Sequence, residues 1–438
     1  MTTSVRAPYD AQVVPRPAAA ARDAVSWLTV WLVVLYAVPS HLVIAQLGGA
    51  GSPSQILALV SALWWGWDRV HRAQAPPDGL RPVGAALGVL LAAVGASYVA
   101  AMLRPIASAE SSTADLMLVA VLAWAGTTLL VADGVPTRAR LEVLVNRAAV
   151  AGGVMALLGI VQFVAHRSFM ELVTIPGLSE NGSVVGAYAR ESFTRPSGTA
   201  VHPIEYGYVL TMLLPFAVHR ARTAPHRALR RAWPAVAIGC VIPLSLSRSA
   251  ILGAVMVLVV VVPTLSRASR WALVAGIGVG GGVMFVTVPG LLGSVTGLFT
   301  GIGGDTSAAS RTGSYEIAGE LVARAPVLGR GLGTLLPSYR IFDNQLLLLL
   351  VEIGVVGLLA FLGLVVTAWV VALRERRRSV DPIARDLATA VMASLAAGLV
   401  GLALFDAFSF PMAAGTLFLV LGIAGAVGRI GAVGRLPE

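Results

Sequence analysis

Apolar residues in this chain do not alternate with polar ones. They fill long runs from Ala24 to Val427, separated by short arginine-bearing segments. Twelve such runs fall near 25–42, 53–70, 83–103, 114–132, 147–166, 203–219, 232–246, 249–265, 271–289, 344–372, 386–405 and 411–428. Apart from a short seventh and a long tenth, each approaches the roughly 17–25 residues that cross about 30 Å of hydrocarbon as a helix. The pattern predicts an all-α integral membrane protein with about twelve transmembrane helices. It forms a single polytopic domain over 24–430, between a disordered tail at 1–23 and a short tail at 431–438. The first tail is rich in Pro, Ala and Arg and has no apolar core, so it does not read as a cleavable signal.

Composition agrees with this reading. The chain is 57% hydrophobic and 12% charged, with mean hydropathy +0.81, which excludes a soluble domain. A net charge of +10 would suggest nucleic acid in a soluble protein. Here it reads as topological signal and contact with anionic lipid, and no nucleic-acid partner is expected. All 32 basic residues are arginine. Arg69/Arg72/Arg81, Arg138/Arg140/Arg147, the Arg220–Arg231 run, Arg267/Arg270 and the Arg374–Arg378 run fall on one side of a twelve-span chain, together with both termini. Cytoplasmic N and C termini follow. The single Cys240 excludes an intrachain disulfide.

Two connections on the opposite, extracytoplasmic side are long, 167–202 and 290–343. Loops of that length are commonly functional. The second is expected to contain a short helix over Ser310–Ala325, with Tyr315, Ala318 and Val322 on one face and Pro326 ending it. Nine arginines (Arg104, Arg167, Arg190, Arg195, Arg248, Arg311, Arg324, Arg330 and Arg340) lie on this side, where topology does not require them.

Four stretches carry candidate chemistry. In Arg195-Pro-Ser-Gly-Thr-Ala-Val-His202-Pro-Ile-Glu205, Pro203 suits the first turn of a helix and His202 its cap. The helix N-terminus then offers amide groups and a positive dipole end to an anion, with Arg195 just before it. Glu205 either serves the site or complements the dipole. Arg248, among Ser245, Ser247 and Ser249, is either a snorkelling headgroup arginine or part of a donor-rich oxyanion site. Arg311, at the start of the loop helix, opposes that helix's dipole, whereas Arg324 has Glu320 as a partner one turn away. Pro326-Val-Leu-Gly-Arg-Gly-Leu-Gly333 leads to Asp343-Asn344-Gln345, where Asp343 either caps the next helix or serves as a general base. Glu352 lies inside the tenth span, where an acid needs a partner. The Gly276–Gly282 run reads as a close helix-packing stripe. No His/Cys/Asp cluster has metal-ligand spacing, and no cofactor is expected.

Taken in order, these segments resemble the O-antigen ligase and polymerase family of bacterial envelope glycosyltransferases. The matching pattern is Arg195…Gly198-Thr…His202-Pro, then Ser247-Arg248, then Arg311…Tyr315…Pro326 to Gly333, and finally Asp343-Asn344-Gln345…Glu352-Ile-Gly354. It covers roughly 195–365. The resemblance implies a GT-C-like, metal-independent, inverting glycosyltransferase of the bacterial cytoplasmic membrane, with its active site extracytoplasmic. Such an enzyme transfers a glycan from an undecaprenyl-diphosphate donor to an acceptor hydroxyl on a glycan or glycolipid, by polymerisation or ligation, alongside other envelope assembly proteins. It implies that Arg195, Arg248 and Arg311 hold the diphosphate, with Glu205, Asn344 and Glu352 in support. Where ligases carry a proposed basic histidine this chain has Asp343, and His202 is the other candidate base. A transporter or flippase is the competing class. Its coupling charges would sit near the bilayer midplane, whereas this chain gathers the charges that topology does not explain at the outer surface, with Glu352 alone clearly within a span.

Overall fold

A computed structural model describes residues 23–71, 81–181, 189–190, 193–223, 228–300 and 306–433. Fourteen α-helices carry the fold. The first half supplies α1 (Val25–Ala37), α2 (Pro53–His71), α3 (Pro82–Met102), α4 (Ser108–Gly134), α5 (Arg138–Val164), α6 (Pro203–Arg222) and α7 (Ala228–Leu244). The second supplies α8 (Arg248–Val261), α9 (Arg267–Thr287), α10 (Leu291–Thr300), α11 (Thr306–Arg324), α12 (Gln345–Arg378), α13 (Pro382–Leu402) and α14 (Pro411–Val433). Among the described residues, α3, α4, α5, α9, α12, α13 and α14 are long and apolar enough to cross a membrane. Each of the twelve apolar runs coincides with a helix, and the two remaining helices, α10 and α11, occupy the second long loop.

The core is built by α6, α13 and α14, whose side chains are buried nearly all round; Tyr206, Tyr208, Phe216 and Phe418 are almost wholly enclosed. Around them pack α4 on α2 and α14, α12 on α3 and α13, and α5 on α6 and α7. Apolar side chains face outward from this shell, most of all on α9, which has no buried residue and exposes Trp271, Ile277 and Phe285. A helix apolar on most of its surface and touched by protein only near its end, at Met284, is suited to lipid contact. Gly276, Gly278, Gly280, Gly281 and Gly282 have open space beyond their Cα atoms, so the expected packing stripe is not used within this chain.

The loop helix begins earlier than expected, at Thr306, which places Arg311 in its second turn and weakens the argument that this charge opposes the dipole at the helix start. Ala318 on this helix packs with Phe342 and Val351, with Leu321 and Val322 beside them, while Tyr315 is exposed. Glu320 and Arg324 are both exposed, and no ion pair joins them. A two-residue ribbon pairing Leu42–Val43 with Ser179–Glu180 ties the connection between α1 and α2 to the long loop that precedes α6.

The sharpest feature is a break in α12. Gly354 has φ 65° and ψ −171°, in a region open essentially to glycine alone. The break frees backbone groups, and the 326–331 loop satisfies them. Val355 N–H and Val356 N–H donate to the carbonyls of Pro326 (2.9 Å) and Val327 (3.2 Å). Arg330 N–H and Gly331 N–H donate to the carbonyls of Val351 (3.1 Å) and Glu352 (2.7 Å). Non-helical backbone inside an apolar bundle is tolerable when it is paired in this way.

Candidate functional site

Four helices begin at one end of the bundle and converge there: α6, α8, α12 and α14. Their junctions are specific. Glu205, in the first turn of α6, is fully buried. One of its oxygens accepts from Val201 N–H (2.9 Å) and the other from Met412 N–H at the start of α14 (2.9 Å). His202 caps α6, its Nδ1 accepting from Ile204 N–H at 3.0 Å. His202 thus caps α6 from its own ring while Glu205 reaches back past the cap to the N–H of Val201. At the start of α12, buried Gln345 donates its N–H to the Phe405 carbonyl (3.1 Å) and accepts Phe408 N–H at Oε1 (2.8 Å). That places Asp343 and Asn344 beside the turn that opens α14.

Arg195 joins this group from the loop before α6. Its Nε donates to the Ser245 carbonyl (3.0 Å), which brings the guanidinium to the turn that starts α8 at Arg248. Ser245, Ser247 and Ser249 are buried, and Ser247 and Ser249 share a 3.0 Å hydroxyl hydrogen bond. Within that turn Leu246 adopts φ 46°, a left-handed conformation costly for a branched side chain. The Arg195 loop is held by Gln162 of α5. Its Oε1 accepts from Ser197 N–H (3.1 Å) and Gly198 N–H (2.8 Å), and its Nε2 donates to the Gly198 carbonyl (2.9 Å).

His202 is half-buried and its ring lies 6.3 Å from that of Phe410. Burial, then the nearby Arg195 charge, pushes its pKa down to about 4. It is therefore neutral at physiological pH. Because Nδ1 accepts the capping N–H, the proton must sit on Nε2. In this geometry His202 has a donor to offer the site and no free lone pair.

Asp406, in the turn before α14, is half-buried beside Asp343. Burial first, then the Asp343 charge, raises its pKa to about 6, against the opposing Ser409 hydroxyl. The site thus holds two neighbouring carboxylates, Asp343 and Asp406.

The other expected residues fall as follows. Asn344, not Asp343, caps α12, its side chain accepting from Leu347 N–H at 3.1 Å, so the capping alternative for Asp343 is overturned. Glu352 does not reach the convergence. It sits at the α12 break, where its carboxylate accepts from Leu335 N–H (3.4 Å) and Gly333 N–H, organising the glycine loop. Arg311 belongs to α11, and its side chain lies outside the described residues. Arg104 and Arg330 are not solvated singly. Both meet buried Glu110, at 3.3 and 3.5 Å, and Arg104 also donates to the Arg330 carbonyl at 3.0 Å. Arg340 reaches the Ser314 hydroxyl of α11. Gln162 and Asp406 carry no motif signal, and an isolated amide in an apolar run is the only hint for Gln162; Gln345 closes the Asp343-Asn344-Gln345 stretch, but its joining role does not show there.

Fold and site together define an all-α integral membrane protein with a polar, arginine- and carboxylate-bearing centre where helix N-termini meet. Residues 233–362, from α7 into α12, match the family model described as O-antigen ligase. The resemblance to the O-antigen ligase and polymerase family, whose members are membrane glycosyl-transfer enzymes, is thereby borne out over that segment, which contains Arg248, Arg311, Asp343, Asn344 and Glu352. No curated protein matches the chain.

Proposed function

We propose that the chain transfers a glycan from an undecaprenyl-diphosphate-linked donor to an acceptor sugar hydroxyl at the outer face of the bacterial cytoplasmic membrane. We further infer that the twelve apolar helices all span, with both termini cytoplasmic and the convergence of α6, α8, α12 and α14 outside. That convergence is the observation that carries the reading. Several helix N-termini meet in one region, and Arg195 reaches the turn at which Arg248 opens α8, an arrangement suited to a leaving diphosphate.

Arg195 and Arg248 grip phosphate oxygens through planar guanidinium forks and stay charged at any relevant pH. Arg311 of the loop helix is the third member of the clamp. Glu205 already occupies the first amides of α14, so the anion lies toward α8. Asp343, paired with Asp406, takes the proton of the acceptor hydroxyl. The acceptor oxygen bonds the anomeric carbon as the bond to the diphosphate oxygen breaks, with inversion, and undecaprenyl diphosphate departs. His202 offers Nε2–H to the diphosphate or the sugar; its lone pair is spent on the cap, so Asp343 is the favoured base. The arginines do the charge neutralisation that Mg²⁺ often supplies, so chelators are expected to leave the rate unchanged.

The broken α12 invites comparison with transporters. Its freed backbone groups are taken by the 326–331 loop, which argues against a midplane ion site. The test is transfer by purified protein from a synthetic lipid-diphosphate-linked glycan. Arg195→Ala and Arg248→Ala should each lower kcat at least about a hundredfold, the usual cost of a lost transition-state donor. Transfer that survives both changes would overturn the assignment.

A further inference from the structure

A second charged site lies at the opposite end of the bundle. A lateral groove of about 760 Å³ runs between α1 and α5. Its walls are apolar, with Val33 and Val154 open to the outside at 57% and 55% exposure. Along α5 it extends from Val143 to Leu158, fifteen residues and about 22 Å at 1.5 Å per residue. The charged groups lining it are Arg147, Arg220 and Arg231, with no carboxylate among them.

These arginines are poorly compensated. Among the described residues the Nε and Nη1 of half-buried Arg220 are enclosed and find no hydrogen-bond partner, and Arg231, another cation, lies close enough to disfavour its charge. The Oδ1 of Asn146, also in the lining, is enclosed and unpartnered. Two nearby acids lie outside the groove's lining. Asp386 and Glu142 clasp the ring of His219 at 2.7 and 2.9 Å; Asp386 also pairs with Arg222, and Glu142 with Arg138 at 3.8 Å. Arg147 donates to the Thr29 hydroxyl, which holds it at the mouth of the groove. Enclosed cations facing one another are costly unless an anion completes them. At the end of an apolar groove exposed to the bilayer, the anion at hand is a lipid phosphate, and basic pockets between membrane helices hold such headgroups.

We infer that the groove binds an anionic phospholipid, its phosphate between Arg220 and Arg231 and one acyl chain laid along α1 and α5. The groove is longer than the ~15 Å of a single leaflet's hydrocarbon, so a full chain fits.

Delipidated protein in non-ionic detergent provides the test, read as thermal unfolding and as bound lipid by native mass spectrometry. Dioleoyl phosphatidylglycerol should bind and raise Tm by several degrees, whereas dioleoyl phosphatidylcholine and inorganic phosphate should not. The double variant Arg220→Met/Arg231→Met should lose that shift yet melt higher than wild type without lipid, because the cation pair is gone. A merely structural role for these arginines would lower the lipid-free Tm instead. Val154→Trp, on the exposed wall, keeps the arginines and blocks the chain; it too should lose the shift, and it decides the matter if the double variant does not fold. A shift that persists in Val154→Trp or in the double variant would overturn the inference. So would an equal shift from phosphatidylcholine or from phosphate alone.

Discussion

At the residue scale, two side chains at the convergence have their chemistry set by neighbours. His202 is neutral because burial and Arg195 disfavour its charged form, and capping fixes its tautomer. Its folded-state value lies below the unfolded 6.5, so the unfolded chain binds more protons between about 4 and 6.5. Stability from this group is therefore complete above 6.5 and falls as the pH drops toward 4, by at most about 3 kcal/mol. His202→Asn keeps a capping acceptor and removes the titration. Melting curves from pH 4.5 to 7.5 should show a shallower acid decline in the variant; identical slopes would contradict the buried-neutral assignment. Asp406 behaves oppositely, because burial and Asp343 hold its proton until about pH 6. If the pair acts as base, kcat/KM rises as pH climbs through 6. In Asp406→Asn that rise near pH 6 should be lost, since the group whose titration sets it is gone. Glu205 is a positioning residue. Glu205→Ala leaves buried amides at two helix starts unsatisfied and should cost about 2–4 kcal/mol, seen as a lower Tm in detergent; Glu205→Gln, which keeps an acceptor, should recover part of it.

At the element scale, the fold depends on the broken α12 and the loop seated in it. A Cβ on Gly354 would lie 2.3 Å from the Val327 carbonyl oxygen, and one on Gly329 2.3 Å from that of Glu352. Both contacts are backbone against backbone, so neither can relax by a side-chain rotation. Gly354→Ala and Gly329→Ala should each reduce folded yield severely, while Gly363→Ala, in the same helix with open space, should be neutral or slightly stabilising. Monodisperse yield on size exclusion separates these outcomes. Glu352 belongs to this element too, holding the glycine loop rather than substrate.

Over the whole molecule, the helices were legible because a bilayer demands long apolar runs with internally paired backbone. Each run became a helix, and Pro203 and His202 announced the start of α6 correctly. The site was legible only as fragments. Arg195, Arg248 and Asp343 stand out locally as polar groups beside apolar runs. Their junctions are made by Gln162, Glu205 and Gln345, each joining segments far apart in sequence, and hydropathy contains no term for such contacts. Asp406 shows the limit clearly: alone it is a turn acid, and only proximity to Asp343 makes it half of a pair.

Hydrophobic spacing thus determined by itself that this chain belongs in a membrane as a bundle of helices joined by polar segments. Those properties follow from each segment's own transfer to lipid and need no knowledge of its neighbours. The tertiary structure decided which helix ends meet, which cation reaches the serine turn, which residue caps α12 and which arginines face an open groove. Those are pairwise relations between distant segments, fixed by packing and by the pairing of buried polar groups.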